Sequence, residues 1–179
     1  MRKKEKAITD QAELDRILKE ANVLHLSMCV DNEPYVVALT YTYQEGRFYI
    51  HCAREGKKLD ILRKNPRVCF QIEHDVQVAP SAKACAWTMH YKSIMGTGRA
   101  EIVEEPEKVR AGLDIFMSRF AEPPYEYVDK AVALTTLIIV HVEEMIGKHI
   151  HIPETTRPQT MSYAVFCVKE TTCSSDTQS

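Results

Sequence analysis

The sequence predicts a mainly β fold, a small β-barrel of six antiparallel strands with peripheral α-helices. Three observations favour it. Six segments carry the hydrophobic pattern or composition of strands, turn signals separate them at short spacing, and only three or four helical patterns lie between them. A barrel accounts for this order because closure of the sheet hides strand edges that would otherwise be exposed.

The first predicted element is an α-helix, and a β-meander follows it. The helix begins at Asp10, whose D-x-x-E spacing with Glu13 is typical of a capping box, and apolar residues then recur at i, i+3, i+4 and i+7 as far as Ala21. The hydrophobic period then changes to two, which indicates strands. The predicted strands cover residues 23–30, 35–43 and 47–53, with turns at residues 31–34 and 45–46.

The second half of the chain adds three strands and two helices. Pro66 limits a short helix over residues 56–64, because the residue before a proline is pushed out of the α region. Pro106 occupies the first position of an amphipathic helix that extends to Phe120. Gly96 and Gly98 predict a bulge or bend in a long strand. The three strands cover residues 67–73, 85–104 and 134–143, with a loop at 74–84.

The domain organisation follows from a change in composition near Pro153. Residues 1–152 form the predicted barrel. Residues 153–179 form a C-terminal extension rich in Pro, Thr, Ser and Gln, and we expect its end to be disordered.

Composition and charge exclude several classes of protein. The 179 residues are 45% hydrophobic and 27% charged, which is typical of a globular domain. The net charge of −2 lacks the basic excess of nucleic-acid-binding proteins. No run reaches the ~18 apolar residues of a membrane span, and residues 1–6 do not lead into the apolar core of a secretory signal. We therefore expect a cytoplasmic protein that binds neither nucleic acid nor membranes.

The cysteines do not form a metal or redox motif. No two of them are spaced as C-x-x-C, which argues against zinc-ribbon and thioredoxin-type sites. In a reducing cytoplasm disulfides are not expected, so most of these thiols are predicted to fill the core. The six residues are Cys29, Cys52, Cys69, Cys85, Cys167 and Cys173.

The strongest indication of chemistry lies between residues 48 and 60, where a strand leads through a short connection into a helix that begins with Lys57 and Lys58. Backbone N–H groups at a helix start favour an anion. Lysine at that end opposes the helix dipole, and a bound phosphate would offset the cost. A solvated lysine pair is the alternative interpretation.

Three strings, taken together, resemble a known family. They are H-x-A-x-x-G-K-K at residues 51–58, K-N-P-R-V at 64–68, and W-x-M-x-Y-x-S with G-x-G-R-A-E at 87–101. The combination is similar to the pyridoxamine-phosphate-oxidase-like FMN-binding split barrels, and within them to the nitroimidazole-resistance (Nim) branch. The resemblance covers roughly residues 1–150 and implies a six-stranded antiparallel split barrel, present as a homodimer with one FMN per subunit between the subunits.

The resemblance also implies which residues hold the flavin ring. Tyr91 and Ser93, two apart on one strand face, would reach the ring from the long strand. The second strand would run beside the isoalloxazine with Val36, Val37, Ala38, Leu39 and Thr40.

A second implied group lies at the ribityl chain and the phosphate. Its three cations would neutralise the phosphate charge, and its other members would face the ribityl chain. The residues are His51, Cys52, Ala53, Arg54, Lys57 and Lys58.

His51 is the implied catalytic residue, since the corresponding histidine of the Nim branch lies at the flavin-side pocket. An unperturbed pKa of about 6.5 would let it donate a proton to a nitro oxygen near neutral pH. The alternative is a half-buried strand histidine that is hydrogen-bonded to a neighbour. Cys52 is interpreted either as a flavin-side thiol or as a core residue.

The implied reaction is the reduction of a small organic acceptor, such as the nitroaromatic 5-nitroimidazole, by an FMN-dependent, nitroreductase-like oxidoreductase. Vitamin B6 oxidation is not implied, because Tyr35 and Thr40 stand where true pyridoxamine-phosphate oxidases carry arginine and lysine. No G-x-G-x-x-G motif is present, so the electron donor would be a nicotinamide that binds and leaves, or a partner protein.

Two other functions stay open. One is a non-enzymatic flavin- or haem-binding protein on the same fold, since His141, His149 and His151 are candidate ligands. Two histidines at i and i+2 without a carboxylate are weak evidence for a metal, and no metal site is predicted. The other is an interaction scaffold with an empty pocket. Trp87 would cap a cofactor pocket or fill a dimer interface.

Overall fold

The structure, a computed structural model, describes residues 6–150 as a mainly antiparallel β fold with four α-helices. The predicted extension at residues 153–179 lies outside the described residues. The strands are β1 Ala7–Ile8, β2 Leu24–Val30, β3 Glu33–Leu39, β4 Thr42–Gln44, β5 Arg47–Ala53, β6 Arg67–Ala79, β7 Thr88–Val103 and β8 Thr135–Ile150. The helices are α1 Gln11–Glu20, α2 Lys57–Lys64, α3 Pro106–Met117 and α4 Asp129–Ala133.

The strands form one antiparallel sheet in the order β3-β2-β6-β7-β8-β5-β4, and β1 pairs with β8. The two ends of this order, β3 and β4, are consecutive in the chain, with only Thr40 and Tyr41 between them. The sheet must therefore curl until its ends are neighbours, and a slit remains between β3 and β4. This confirms the predicted mainly β split-barrel fold, with eight described strands instead of six.

The inner faces of the strands enclose one hydrophobic core, because successive strand residues point to opposite faces. Aromatic rings occupy its centre. Phe48 lies edge-on to Tyr41, with 5.3 Å between ring centroids, and to Phe70 at 4.8 Å.

Helices α1 and α2 close opposite ends of the barrel. The Asn65 side chain, after α2, donates to the Cys29 carbonyl at the far end of β2 (2.8 Å). At the other end the Tyr41 hydroxyl donates to the Leu18 carbonyl of α1 (3.0 Å). The buried residues of the two helices are Leu14, Ile17 and Leu18 on α1 and Leu59, Ile61 and Leu62 on α2.

The outside of the barrel has two different faces. On one, α3 packs against β4, β5 and β8 and, together with α4, forms a second, smaller core. On the other, the outer sides of β3, β2, β6, β7 and the end of β8 remain exposed among the described residues, as the apolar residues Val36 (58%), Met95 (42%) and Ile146 (46%) show. We call this second surface the open face.

The predicted strand over residues 35–43 is wrong, because it divides into β3 and β4. β3 pairs with β2 and β4 pairs with β5, at opposite ends of the sheet, so one continuous strand cannot satisfy both pairings. The turn before it is also shorter than predicted. Only Asp31 and Asn32 form the turn, with φ of 52° and 62°. Positive φ at both central residues is typical of a tight two-residue β-hairpin turn.

The predicted loop at residues 74–84 is wrong as well. β6 continues to Ala79 through a bulge at Asp75, and its end pairs with the start of β7. β8 likewise continues to Ile150, seven residues past the predicted end at residue 143. β1 and α4 are too short for the sequence pattern to have indicated them.

Gly96 and Gly98 confirm the predicted irregularity of the long strand. Thr97 pairs with Glu144 and Gly98 with Val142, so the β7–β8 register shifts by one residue between them. A Cβ atom on Gly96 would lie 2.1 Å from the Glu144 carbonyl oxygen, and one on Gly98 would lie 2.4 Å from that of His141. The close approach of the two backbones therefore requires glycine at both positions.

Two smaller predictions need correction. The capping box forms only in part, because Asp10 accepts from the Ala12 N–H (3.1 Å) while the Glu13 carboxylate binds Lys92 (3.0 Å). Cysteine burial is also overestimated. Cys52 packs against the core, but Cys29, Cys69 and Cys85 are exposed, and Cys167 and Cys173 lie outside the described residues.

Candidate functional site

The candidate site lies where β5 ends and α2 begins, beside the edge strand β3. Gly56 connects β5 to α2 with φ of 138°, a conformation that residues with a side chain rarely adopt, and no atom would contact a Cβ placed there. Glycine is therefore required at position 56 by the backbone conformation, since a Cβ atom there would not clash with a neighbour. This turn directs the start of α2 toward β3.

The start of α2 has no side-chain cap. The Gly56 carbonyl accepts from the N–H groups of Leu59 (2.9 Å) and Asp60 (3.3 Å). First-turn N–H groups without a cap carry a partial positive charge toward the helix start. An anion bound there would accept hydrogen bonds from these N–H groups and interact favourably with the helix dipole.

Lys57 and Lys58 add two full charges at this end. The Lys57 ammonium lies 4.9 Å from the centroid of the Tyr35 ring on β3, so it reaches from α2 to the edge strand. Lys58 is partly buried and acts electrostatically on Cys52. Tyr35 is thus a site residue that the sequence did not assign to cation binding, since only the fold brings it to Lys57.

β3 presents alternate residues to the outside. Val36, Ala38 and Thr40 are exposed, whereas Val37 and Leu39 pack against the barrel core. As β3 ends the sheet order, one of its edges has no strand partner among the described residues. Of the five predicted ring-binding residues, four lie on β3 and Thr40 directly follows it, and three of the five have exposed side chains.

His51 and Cys52 point to opposite faces of β5, as neighbours on a strand must. His51 lies on the outer face against Phe116 of α3, with 4.6 Å between ring centroids. Burial lowers the pKa of His51. Cys52 packs inward, and burial raises the pKa of its thiol more than the Lys58 charge lowers it. A thiol held protonated in this way is a poor nucleophile, which favours the core interpretation of Cys52.

Arg54 is engaged away from the start of α2. Its guanidinium donates to the Glu104 carbonyl at 2.8 Å, and Arg63 binds the Glu104 carboxylate, also at 2.8 Å. Both cations thereby tie α2 and its entry to the segment between β7 and α3. Of the three predicted phosphate-binding cations, Lys57 and Lys58 lie at the helix start.

Tyr91 and Ser93 do not meet His51 within this chain. His51 pairs with Leu137 of β8, whereas Ser93 pairs with Lys148, eleven residues further along the same strand. At about 3.3 Å per residue, eleven residues correspond to roughly 36 Å along the strand. Ser93 is also only 6% exposed. Within one chain, Tyr91 and Ser93 therefore do not form a common site with His51.

The described candidate haem and metal ligands have carboxylate neighbours. His141 lies 2.8 Å from Glu101, and His149 lies 3.2 Å from Glu13. The described residues contain no group of three His, Cys, Asp or Glu that could hold a metal ion. His151 lies outside the described residues.

A separate cavity of about 380 Å³ lies between α1, β4 and α3. Its Arg119 donates to the carbonyls of Tyr41 (2.9 Å) and Ala21 (2.6 Å) and to the Asn22 side chain (3.2 Å). These bonds fasten the end of α3 to the barrel. The guanidinium is therefore committed to the fold, and the cavity does not share residues with the start of α2.

Comparison with known proteins identifies relatives over most of the described chain. The family profile described as pyridoxamine 5′-phosphate oxidase matches residues 10–149. An uncharacterised protein of Rhizobium meliloti, RA0666, is 30% identical over 92 residues, which is 51% of this chain and 54% of that protein. The chain thus spans about half the length of this curated relative.

Solved structures share the fold, and two of them each cover 80% of this chain. A candidate 5-nitroimidazole antibiotic resistance protein from Bacteroides thetaiotaomicron is 28% identical, with a TM-score of 0.70 over 80% of this chain and 86% of that chain. An FAD and heme binding protein from Mycobacterium smegmatis is 17% identical, with a TM-score of 0.70 over 80% of this chain and 72% of that one. Among the described residues, no helix is both long and apolar enough to cross a membrane.

Proposed function

Because the chain belongs to the pyridoxamine 5′-phosphate oxidase family, we propose that it is a flavoprotein that binds FMN and passes electrons to a small organic acceptor, a nitroaromatic such as a 5-nitroimidazole. The likeness to the Bacteroides protein, at 28% identity over four-fifths of this chain, supports the nitroaromatic acceptor.

The start of α2 is the observation that carries the proposal. It combines an uncapped helix start with Lys57 and Lys58, and the Lys57 ammonium lies against the edge strand β3. A phosphate monoester carries close to two negative charges near neutral pH and three acceptor oxygens, which matches two cations and a set of free N–H donors. The residues present therefore fit the phosphate of FMN.

Each element of the site would make a distinct contribution. Lys57 and Lys58 would hold the phosphate, and the exposed side of β3 would lie along the ring. His51 would supply a proton at the acceptor, and α3 excludes water from one side of its imidazole. The flavin, when bound, supplies the redox chemistry, with electrons from a nicotinamide or a protein donor.

We also propose that the protein acts as a homodimer through the open face. One chain leaves Tyr91 far from His51, and a two-fold partner could bring its own copy to the site. The open face carries exposed Val36, Met95 and Ile146, and Val78 (57%) near the end of β6 and Trp87 (53%) just before β7 are also exposed. Burial of this apolar surface would favour association.

The dimer is testable by mass. The full chain loaded with FMN is expected to scatter light as a particle of about 41 kDa, twice the 20.5 kDa of one chain. Met95→Lys with Ile146→Lys, on cross-strand partners of the open face, should give a monomer because burying two charges in an apolar interface carries a large desolvation cost. Val128→Lys with Leu134→Lys, equally charged but next to α4, should leave the dimer intact. A monomer in the unmodified protein would contradict the proposal.

The function itself is tested by the absorbance spectrum and by turnover. Purified protein is expected to show flavin absorbance and to reduce a 5-nitroimidazole with a nicotinamide donor and FMN. A Soret band instead would indicate a haem protein. Flavin absorbance without turnover, whether with a nicotinamide or with a chemically reduced flavin, would indicate a carrier. Absence of both chromophores after incubation with FMN would contradict the flavoprotein assignment.

A further inference from the structure

The aromatic neighbour of His51 is Phe116, which belongs to α3 and is distant in sequence. The two ring centroids are 4.6 Å apart and the planes meet at 81°, an edge-to-face arrangement. Phe116 is only 5% exposed, whereas His51 retains an exposed side. The imidazole is thus covered on one side by an apolar ring and open to solvent on the other.

Phe116 is itself held in place by β4. The Thr42 hydroxyl, 5% exposed, donates to the Phe116 carbonyl at 2.8 Å. The Phe120 ring packs against Phe116 with 5.3 Å between centroids. β4, which anchors Phe116, is paired with β5, which carries His51, so both strands belong to one hairpin.

We propose that Phe116 is a positioning residue for His51, which fixes the orientation of the imidazole and shields one side of it from water. The contact between the Phe116 ring and the His51 imidazole follows from the distance and angle between the two rings. Its consequence for turnover rests on the proposed function, in which His51 supplies a proton.

Shielding has an electrostatic consequence, because a covered imidazole is harder to charge. Burial lowers the pKa of His51, so the imidazolium is populated only at more acidic pH than for an exposed histidine. The direction of this shift is the one expected when an apolar ring replaces water.

Charged neighbours do not account for the shift. On β8 the cross-strand partner of His51 is Leu137, and on its own strand the outer-face residues are Tyr49 and, four residues away, Arg47. Burial, together with Asp114 of α3, raises the pKa of Tyr127. Arg119, just after α3, donates to the carbonyls of Tyr41 and Ala21. Desolvation remains as the cause of the lowered pKa.

The test is a titration of His51 by NMR in the full-length protein, with the His51 signal assigned by its loss in His51→Gln. Phe116→Leu keeps an apolar side chain but removes the ring, so the pKa of His51 should rise toward its ordinary value. Phe116→Tyr should restore the lowered pKa. Tyr125→Leu, the matched control, removes a ring that is not part of the contact between Phe116 and His51 and whose hydroxyl donates to the Ala121 carbonyl, so it should leave the pKa of His51 unchanged.

Two outcomes would overturn the inference. One is a His51 pKa that does not change in Phe116→Leu. The other is the absence of nuclear Overhauser contacts between the two rings in the unmodified protein, a measurement that stands even if the variant fails to fold. If the pKa rises but the pH profile of nitro-acceptor reduction does not move with it, the positioning role holds and the proton-donor role of His51 fails.

Discussion

Replacing both Lys57 and Lys58 with glutamine is expected to weaken FMN binding by about tenfold to over a hundredfold per lysine, while riboflavin binding stays almost unchanged. Charge-assisted hydrogen bonds contribute roughly 1.5–3 kcal/mol each, and 1.4 kcal/mol corresponds to tenfold in affinity. FMN differs from riboflavin only by its phosphate, so the contrast between the two ligands isolates the contact at the start of α2. The measurement is fluorescence titration of each flavin at low salt.

A matched control separates this local effect from net charge. Lys64→Gln with Lys83→Gln also removes two positive charges, from exposed positions at the far end of α2 and in the segment between β6 and β7. This variant should retain FMN affinity. Salt should reduce the effect of the Lys57 and Lys58 substitutions to the extent that the site is solvated. Equal FMN affinity of the site variant and the unmodified protein would show that the two lysines do not hold the phosphate.

The features of the site that sequence could predict are those that depend on neighbours along the chain. The end of β5 at Ala53 and the start of α2, predicted at Gly56 and found at Lys57, follow from local pattern within one residue. The start of a helix, the period of a strand and the conformation of a glycine depend on interactions over a few residues. A segment of about eight residues is therefore enough to predict them.

The features that sequence missed depend on which strands become neighbours. Nothing in residues 35–43 indicates that β3 and β4 must separate, because the alternation of apolar residues continues through Tyr41, which is buried. The break arises from the sheet order, which gives the two halves different partners. The same holds for Arg54, whose partner Glu104 is 50 residues away.

The slit also explains why the candidate site is there. In a closed barrel β3 would pair on both edges and its backbone would be satisfied. Here the sheet stops at β3, and α2 brings Lys57 to it without pairing with it. An edge strand with one unpaired side normally invites association, and a bound flavin or a second subunit would cover it.

Replacing His51 with alanine is expected to lower turnover on a nitro acceptor by roughly 10²-fold or more, which is the usual contribution of a general acid. FMN affinity should change much less, because His51 faces Phe116 on the outer side of β5 and not the start of α2. The measurement pairs steady-state kinetics with a flavin titration on the same preparation. Equal losses in turnover and affinity would reassign His51 to cofactor binding.

The pH profile distinguishes proton donation from a packing role of the same residue. Burial lowers the pKa of His51, so the protonated form becomes populated only as pH falls below the ordinary value of about 6.5. If imidazolium is the acid, kcat/KM should rise as pH is lowered through that depressed pKa and level off beneath it. His51→Gln keeps a polar side chain that can pack against Phe116 but cannot titrate, so its profile should be flat over the same range. A rise of equal size in the glutamine variant would assign the acid limb to another group.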